Sequence, residues 1–130
     1  MRMKLLLHGH WKVDGKSDIK KEFVVKQNII KFGKLLYDKD LTSATSGNIS
    51  VRLGNKIYIT ATGTALGFLT EKDIVEIDTN GKEFSSYQKA SSEKFMHIAI
   101  YNLRKDINAI IHCHSPFSTA IFQPFLPFQT

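Results

Sequence analysis

Two histidines one residue apart, in His112-Cys113-His114, carry the sharpest chemical signal in the sequence. On an extended strand, residues two apart project to the same face, so both imidazoles can approach one cation. Their neutral nitrogens suit zinc and other borderline divalent metals. Upstream, Ser91-Ser92-Glu93 offers two hydroxyls and a carboxylate where a helix is predicted to begin. The free backbone N–H groups of such a start can receive a phosphate. Two small polar loops, Gly47-Asn48 and Thr60-Ala61-Thr62-Gly63-Thr64, can bring further donors onto an anion. Each feature also has an ordinary reading. The histidines can be structural, and the serines can be a plain N-cap with Glu93 favoured by the helix dipole. The loops match neither a P-loop nor a dinucleotide fingerprint.

The elements that must position these groups are readable from periodicity and punctuation. Ser17 or Asp18 can cap a helix reaching about Asp40, with Val25, Ile29, Phe32 and Leu36 on its buried face. The polar run Thr42–Gly47 is a loop. Two alternating stretches, Asn48–Leu53 and Lys56–Thr60, flank Gly54-Asn55 and predict a β-hairpin. Thr70 followed by Asp73 resembles a capping box. Ile74–Ile77 reads as a third strand, stopped by Asp78-Thr79-Asn80-Gly81. Ser91 or Ser92 caps a second helix whose inward residues are predicted to be Phe95, Ala99 and Leu103. Ile107–Cys113 is a fourth strand, and Ser115-Pro116 starts a helix that Pro124 and Pro127 prevent from continuing. Helix, strands, helix, strand argues for an α/β sandwich with a largely antiparallel sheet, not a doubly wound one.

Bulk properties narrow the function classes. The 130 residues form one domain, 1–130, and 42% of them are hydrophobic, enough for a core. The formal charge of +6 is spread along the chain, with no basic tail and no nucleic-acid module, so it marks a mild preference for anions. A single cysteine, Cys113, permits no intrachain disulfide, which points to a reducing compartment. The apolar run in Met1–Leu7 is too short for a signal peptide, and nothing approaches membrane-spanning length. The expectation is a cytoplasmic domain that binds neither membrane nor nucleic acid.

Taken together, the motifs say more than any one of them. Ser46-Gly47-Asn48-Ile49-Ser50, Ile59-Thr60-Ala61-Thr62-Gly63, Leu69-Thr70, Ser91-Ser92-Glu93, His97 and His112-Cys113-His114-Ser115 follow in an order that resembles the class II aldolase/adducin family. The resemblance is strongest to its L-fuculose-phosphate and ribulose-phosphate aldolase and epimerase branch and covers about 24–120. It implies a three-layer sandwich with helices on both sides of the sheet. It makes His112, His114 and Glu93 metal ligands, with Glu93 also the catalytic acid/base, and gives the substrate phosphate to Asn48, Thr62, Gly63, Ser91 and Ser92. The implied cofactor is zinc, or manganese, cobalt or iron. The implied reaction is reversible cleavage of a ketose 1-phosphate to dihydroxyacetone phosphate and an aldehyde, in a homo-oligomer expected to be a tetramer.

The resemblance also implies a third metal-binding histidine downstream, yet no histidine follows His114. The expectation is a chain that ends before its site is complete. It is then a shortened enzyme, a compact one completed by oligomerisation, or a non-catalytic member like the adducins. Within the family, a methylthioribulose-1-phosphate dehydratase is the competing chemistry. His97, one helical turn beyond Glu93, could approach the metal or simply hydrogen-bond between helix and strand. His8 and His10 form a second His-X-His, read as coincidence.

Overall fold

The computed structural model of the chain describes residues 18–84 and 87–116. Helix α1 spans Asp18–Asp38 and strands β1 and β2 span Asn48–Leu53 and Lys56–Thr60. Two short 3₁₀ turns, Leu66–Phe68 and Glu71–Asp73, lead into β3 (Ile74–Asp78), helix α2 (Lys94–Leu103) and β4 (Ala109–His112). The strands form one sheet in the order β3-β2-β1-β4, with every neighbouring pair antiparallel.

The hairpin forms where alternation and turn chemistry agree. Leu53 pairs with Lys56 across a two-residue turn, and of its two residues only Gly54 takes a positive φ, 60°. Glycine meets that demand without steric cost. The Thr70–Asp73 capping box is present: the Thr70 N–H donates to Asp73 Oδ2 at 2.7 Å and the Thr70 hydroxyl at 2.8 Å.

Period-two alternation gives the sheet two apolar faces. Ile57, Ile59, Val75, Ile77 and Ile110 pack with Ile98 and Tyr101 of α2. On the opposite face Ile49, Tyr58, Ile74 and Ile111 pack with Ile29 and Leu36 of α1 and with Leu66 and Leu69. The result is the three-layer α/β arrangement that the sequence implies, with the sheet between α2 and α1.

Helix α1 buries the stripe that was predicted, and α2 does not. In α1 the fully buried positions are Ile29, Gly33 and Leu36, with Val25 and Phe32 partly buried. Gly33 is there because of closeness: a Cβ at this position would lie 2.5 Å from the Leu66 carbonyl oxygen. In α2 the predicted face is corrected. Phe95 and Leu103 are 62% and 83% exposed, Ala99 is exposed, and the buried face is His97, Ile98 and Tyr101. Apolar character misplaced the face because two of its three residues are polar side chains with partners on β1.

Arg52 of β1 closes the far end of α2. Its guanidinium donates to the carbonyl oxygens of Tyr101 at 3.0 Å, Lys105 at 3.0 Å and Ile107 at 2.7 Å. It also lies over the Tyr101 ring, 4.9 Å from the centroid. A planar cation with several donors suits the unpaired carbonyls of a helix C-terminus.

Candidate active site

Strand and helix periodicities meet to build the site. Asn48, Ser50 and Arg52 are two apart on β1 and share the face toward α2. Glu93, His97 and Tyr101 are four apart and share one side of α2 and the turn before it. Two strand residues advance about 6.7 Å and four helical residues about 6 Å, so the two series interleave. The contacts run in alternation from Glu93 to Asn48, His97, Ser50 and Tyr101, and on to Arg52. Four of these, Ser50, His97, Tyr101 and Asn48, are buried, and no buried side-chain nitrogen or oxygen among the described residues lacks a partner.

The upper end of this ladder is a carboxylate held from two sides. Asn48 Nδ2 donates to Glu93 Oε2 at 2.5 Å, and His112 Nδ1 meets the same oxygen at 2.5 Å. Asn48 and His112 are direct partners in the β1–β4 pairing. Burial pushes the Glu93 carboxyl up, but the bonds from Asn48 and His112 and the fields of His112 and His97 outweigh it and hold the group below its ordinary value. The Glu93 side chain remains 41% exposed and His112 13%, so a ligand can reach the carboxylate. His97 has no exposed surface and both ring nitrogens are engaged, which leaves it unavailable as a metal ligand. Burial, with His112 adding to it against the opposing field of Glu93, lowers its pKa to about 4, so the ring is neutral at pH 7.

The His-X-His motif divides as a strand requires. His112 faces Glu93, while Cys113 is buried in the cluster on the α1 side. His114 is exposed, its ring 4.8 Å from that of His112 between centroids. Two imidazoles and a carboxylate are therefore gathered at one end of the sheet, a donor set whose chemistry fits a divalent cation. In this arrangement Glu93 and His112 bond to one another. Among the described residues no three His, Cys, Asp or Glu side chains are placed to hold an ion. A bond from Nδ1–H to the carboxylate leaves Nε2 of His112 as its free lone pair.

The phosphate candidates fall into two groups. A bridge between Ala61 and Ala90 sets the loop after β2 beside the start of α2. It is fastened by Thr62 N–H to Lys89 O at 3.0 Å and Ser91 N–H to Thr60 O at 3.0 Å. Thr62, Gly63 and Ser92 are exposed there, with Gly63 at φ 73°. The buried Ser91 hydroxyl accepts from the Glu93 N–H at 3.2 Å and shapes the turn. Asn48 stands apart from this group, with its amide between Glu93 and His97. Sequence reasoning missed Ser50 and Tyr101. Their signal was the polar alternation Asn48-x-Ser50-x-Arg52 in an otherwise apolar strand. His8 and His10, and the expected helix beyond Pro116, lie outside the described residues.

The sequence profile of the class II aldolase and adducin N-terminal domain matches residues 27–128. The chain belongs to the class II aldolase and adducin family. The match runs beyond the 24–120 of the resemblance, through Phe122–Phe128. Among class II relatives, the L-fuculose phosphate aldolase of Methanocaldococcus jannaschii is 49% identical over 94 residues, 72% of this chain and 51% of that protein. The methylthioribulose-1-phosphate dehydratase of Hahella chejuensis is 34% identical over 111 residues, 85% and 53% of the respective chains. A solved L-fuculose 1-phosphate aldolase superposes with a TM-score of 0.70 at 41% identity, over 75% of this chain and 47% of that one. The chain thus spans about half the length of the class II aldolases and dehydratases it matches. Among the described residues no helix is long and apolar enough to cross a membrane.

Proposed function

We propose that this chain supplies the metal- and phosphate-binding part of a sugar-phosphate aldolase site, acting on a ketose 1-phosphate such as L-fuculose 1-phosphate. The observation that carries the reading is the Glu93 carboxylate, gripped by Asn48 and His112 across adjacent strands and set beside an exposed loop rich in donors. Glu93, His112 and His114 would hold a divalent cation, zinc in the first instance, with manganese, cobalt or iron as alternatives. When bound, such an ion supplies Lewis-acid polarisation of a substrate carbonyl.

The remaining work falls to the chain's own groups. Glu93 is acceptor-only and accessible, as a residue that takes a proton from carbon must be. The exposed Thr62, Gly63 and Ser92, with Ser91 behind them, offer hydroxyl and amide donors to a phosphate away from the reacting carbon. Binding there orients the substrate without touching the bond to be broken. Asn48, first read as a phosphate ligand, is better placed to hold Glu93. The identity to the Hahella dehydratase supports a second reading, a methylthioribulose-1-phosphate dehydratase-like lyase that uses the same metal and phosphate groups. Adducin-like binding without catalysis would need no carboxylate between two nitrogen donors. We place the protein in the cytoplasm, as a homo-oligomer and by family expectation a tetramer.

The test is metal content of the purified chain beside that of a His112→Ala, His114→Ala double variant. Near-stoichiometric metal that disappears in the variant supports the reading. Screening of sugar phosphates for aldol cleavage or dehydration then separates the two lyases. A wild-type chain that takes up no zinc would sink it.

A further inference from the structure

The polar ladder permits a single assignment of its protons. At neutral pH the Glu93 carboxylate only accepts, so the Asn48 atom facing it must be the amide NH₂. The amide oxygen then faces His97 Nε2, 2.5 Å away. An oxygen cannot donate, so Nε2 carries the proton. The buried ring is neutral at pH 7, so Nδ1 is bare and takes the Ser50 hydroxyl proton at 2.7 Å. Ser50, having spent its one proton, accepts from the Tyr101 hydroxyl at 2.8 Å. Every donor in the series points toward Glu93.

We propose that His97, as its Nε2–H tautomer, is a positioning residue that locks the Asn48 amide with its NH₂ turned to Glu93. The lock matters because an asparagine amide has two nearly isosteric faces of opposite character. Turned over, Asn48 would set a carbonyl oxygen against the carboxylate, and Glu93 would lose a donor and gain a repulsion. The His97 ring reaches no accessible surface and hydrogen-bonds to Asn48 and Ser50, not to the Glu93 carboxylate, so its hydrogen-bonded support of the site passes through Asn48. Ser50 and Tyr101 complete the device by occupying Nδ1, so that the ring has no reason to turn. The proposal rests on the reading of Glu93 as the working carboxylate, although the proton assignment itself does not.

The experiment uses ¹⁵N-labelled protein and has two parts. Long-range ¹H–¹⁵N spectra at pH 7 report the tautomer of each histidine, with His97 identified by its loss in a His97→Gln variant. The expected result is a protonated Nε2 and a bare Nδ1, with one Asn48 amide proton shifted far downfield and slow to exchange. A protonated Nδ1 on His97 in the wild-type chain overturns the proposal without any variant having to fold.

In the second part, zinc affinity is compared across variants. His97→Gln retains a donor and an acceptor and is expected to bind zinc within about threefold of wild type and to keep the shifted Asn48 proton. His97→Leu keeps the volume without the donor and is expected to lose that proton and bind zinc about 10- to 100-fold more weakly, the usual cost of losing outer-shell support. A His97→Leu chain with both properties unchanged overturns the proposal. A wild-type chain that binds no zinc removes the metal reading of the site, while the tautomer and the Asn48 proton still decide this one.

Discussion

Asn48 and His112 stand opposite one another on adjacent antiparallel strands, and both side chains end on the same oxygen of Glu93. A strand pairing therefore sets the geometry of a carboxylate that belongs to a third element. Burial pushes Glu93 up, and these two bonds hold it below its ordinary 4.5. A depressed carboxylate contributes stability above that ordinary value and loses it as pH falls through the folded one. Asn48→Ala should move the Glu93 titration upward, so this residue's contribution shrinks and is used up at a higher pH than in the wild type. Carbon-detected titration of labelled glutamate carboxyls checks this, and an unmoved Glu93 would mean Asn48 is not holding it.

His97 gives the opposite kind of group, a base kept neutral by burial. Its folded pKa of about 4 lies below the ordinary 6.5. Between those values the unfolded chain binds a proton that the folded chain refuses, so stability is intact above pH 6.5 and declines as pH falls toward 4. The full decline from this residue is about 3 kcal/mol. Urea unfolding of wild type and His97→Gln at pH 7, 5.5 and 4 should show the variant without this component.

Gly33 lets α1 lie against the Leu66 carbonyl. Gly33→Ala adds a methyl 2.5 Å from that backbone oxygen, and overpacking of this kind costs about 1–3 kcal/mol. Alanine's better helix propensity returns at most about 1 kcal/mol. The variant is expected to melt below wild type. Gly54→Ala is the control: its Cβ meets nothing within 4 Å, so only the cost of φ 60°, about 1–2 kcal/mol, applies.

Arg52 should be far more sensitive than a surface arginine. Its guanidinium serves the Tyr101 carbonyl in the last turn of α2 and the Lys105 and Ile107 carbonyls in the loop after it, and a lysine cannot reproduce that fork. Arg52→Lys is expected to cost about 1–2 kcal/mol and Arg52→Met about 2–3 kcal/mol, on the scale of hydrogen bonds to charged groups. Thermal unfolding of both variants provides the measurement.

The strands, the hairpin turn and the Thr70–Asp73 cap were legible because each is written in local chemistry: alternation, a glycine where φ is positive, a hydroxyl before a short helical turn. So was the buried face of α1, but the face of α2 was not. Binary patterning assumes that polar residues seek water, and α2 violates it by turning His97 and Tyr101 inward and leaving Phe95 and Leu103 outside. The partners that make this favourable, Asn48 and Ser50, are some fifty positions away in sequence. Glu93 and His112 could be singled out by type, but their meeting depended on the β1–β4 pairing, which no local pattern states. The likeness to a family supplied that information where periodicity could not.

The alternating ladder between α2 and β1 also settles where the helix stops along the strand. A contact made only of leucine and isoleucine tolerates sliding by a turn, since one methyl substitutes for another. Here the rungs differ in size, charge and proton content. A slip of one turn, about 5.4 Å, would put His97 against His112 and part Arg52 from Tyr101. Unpaired polar groups in a dry interface make such a state costly. The distance between Glu93 and His112 thus depends partly on Arg52, a β1 residue packed against the far end of α2 and remote from any chemistry.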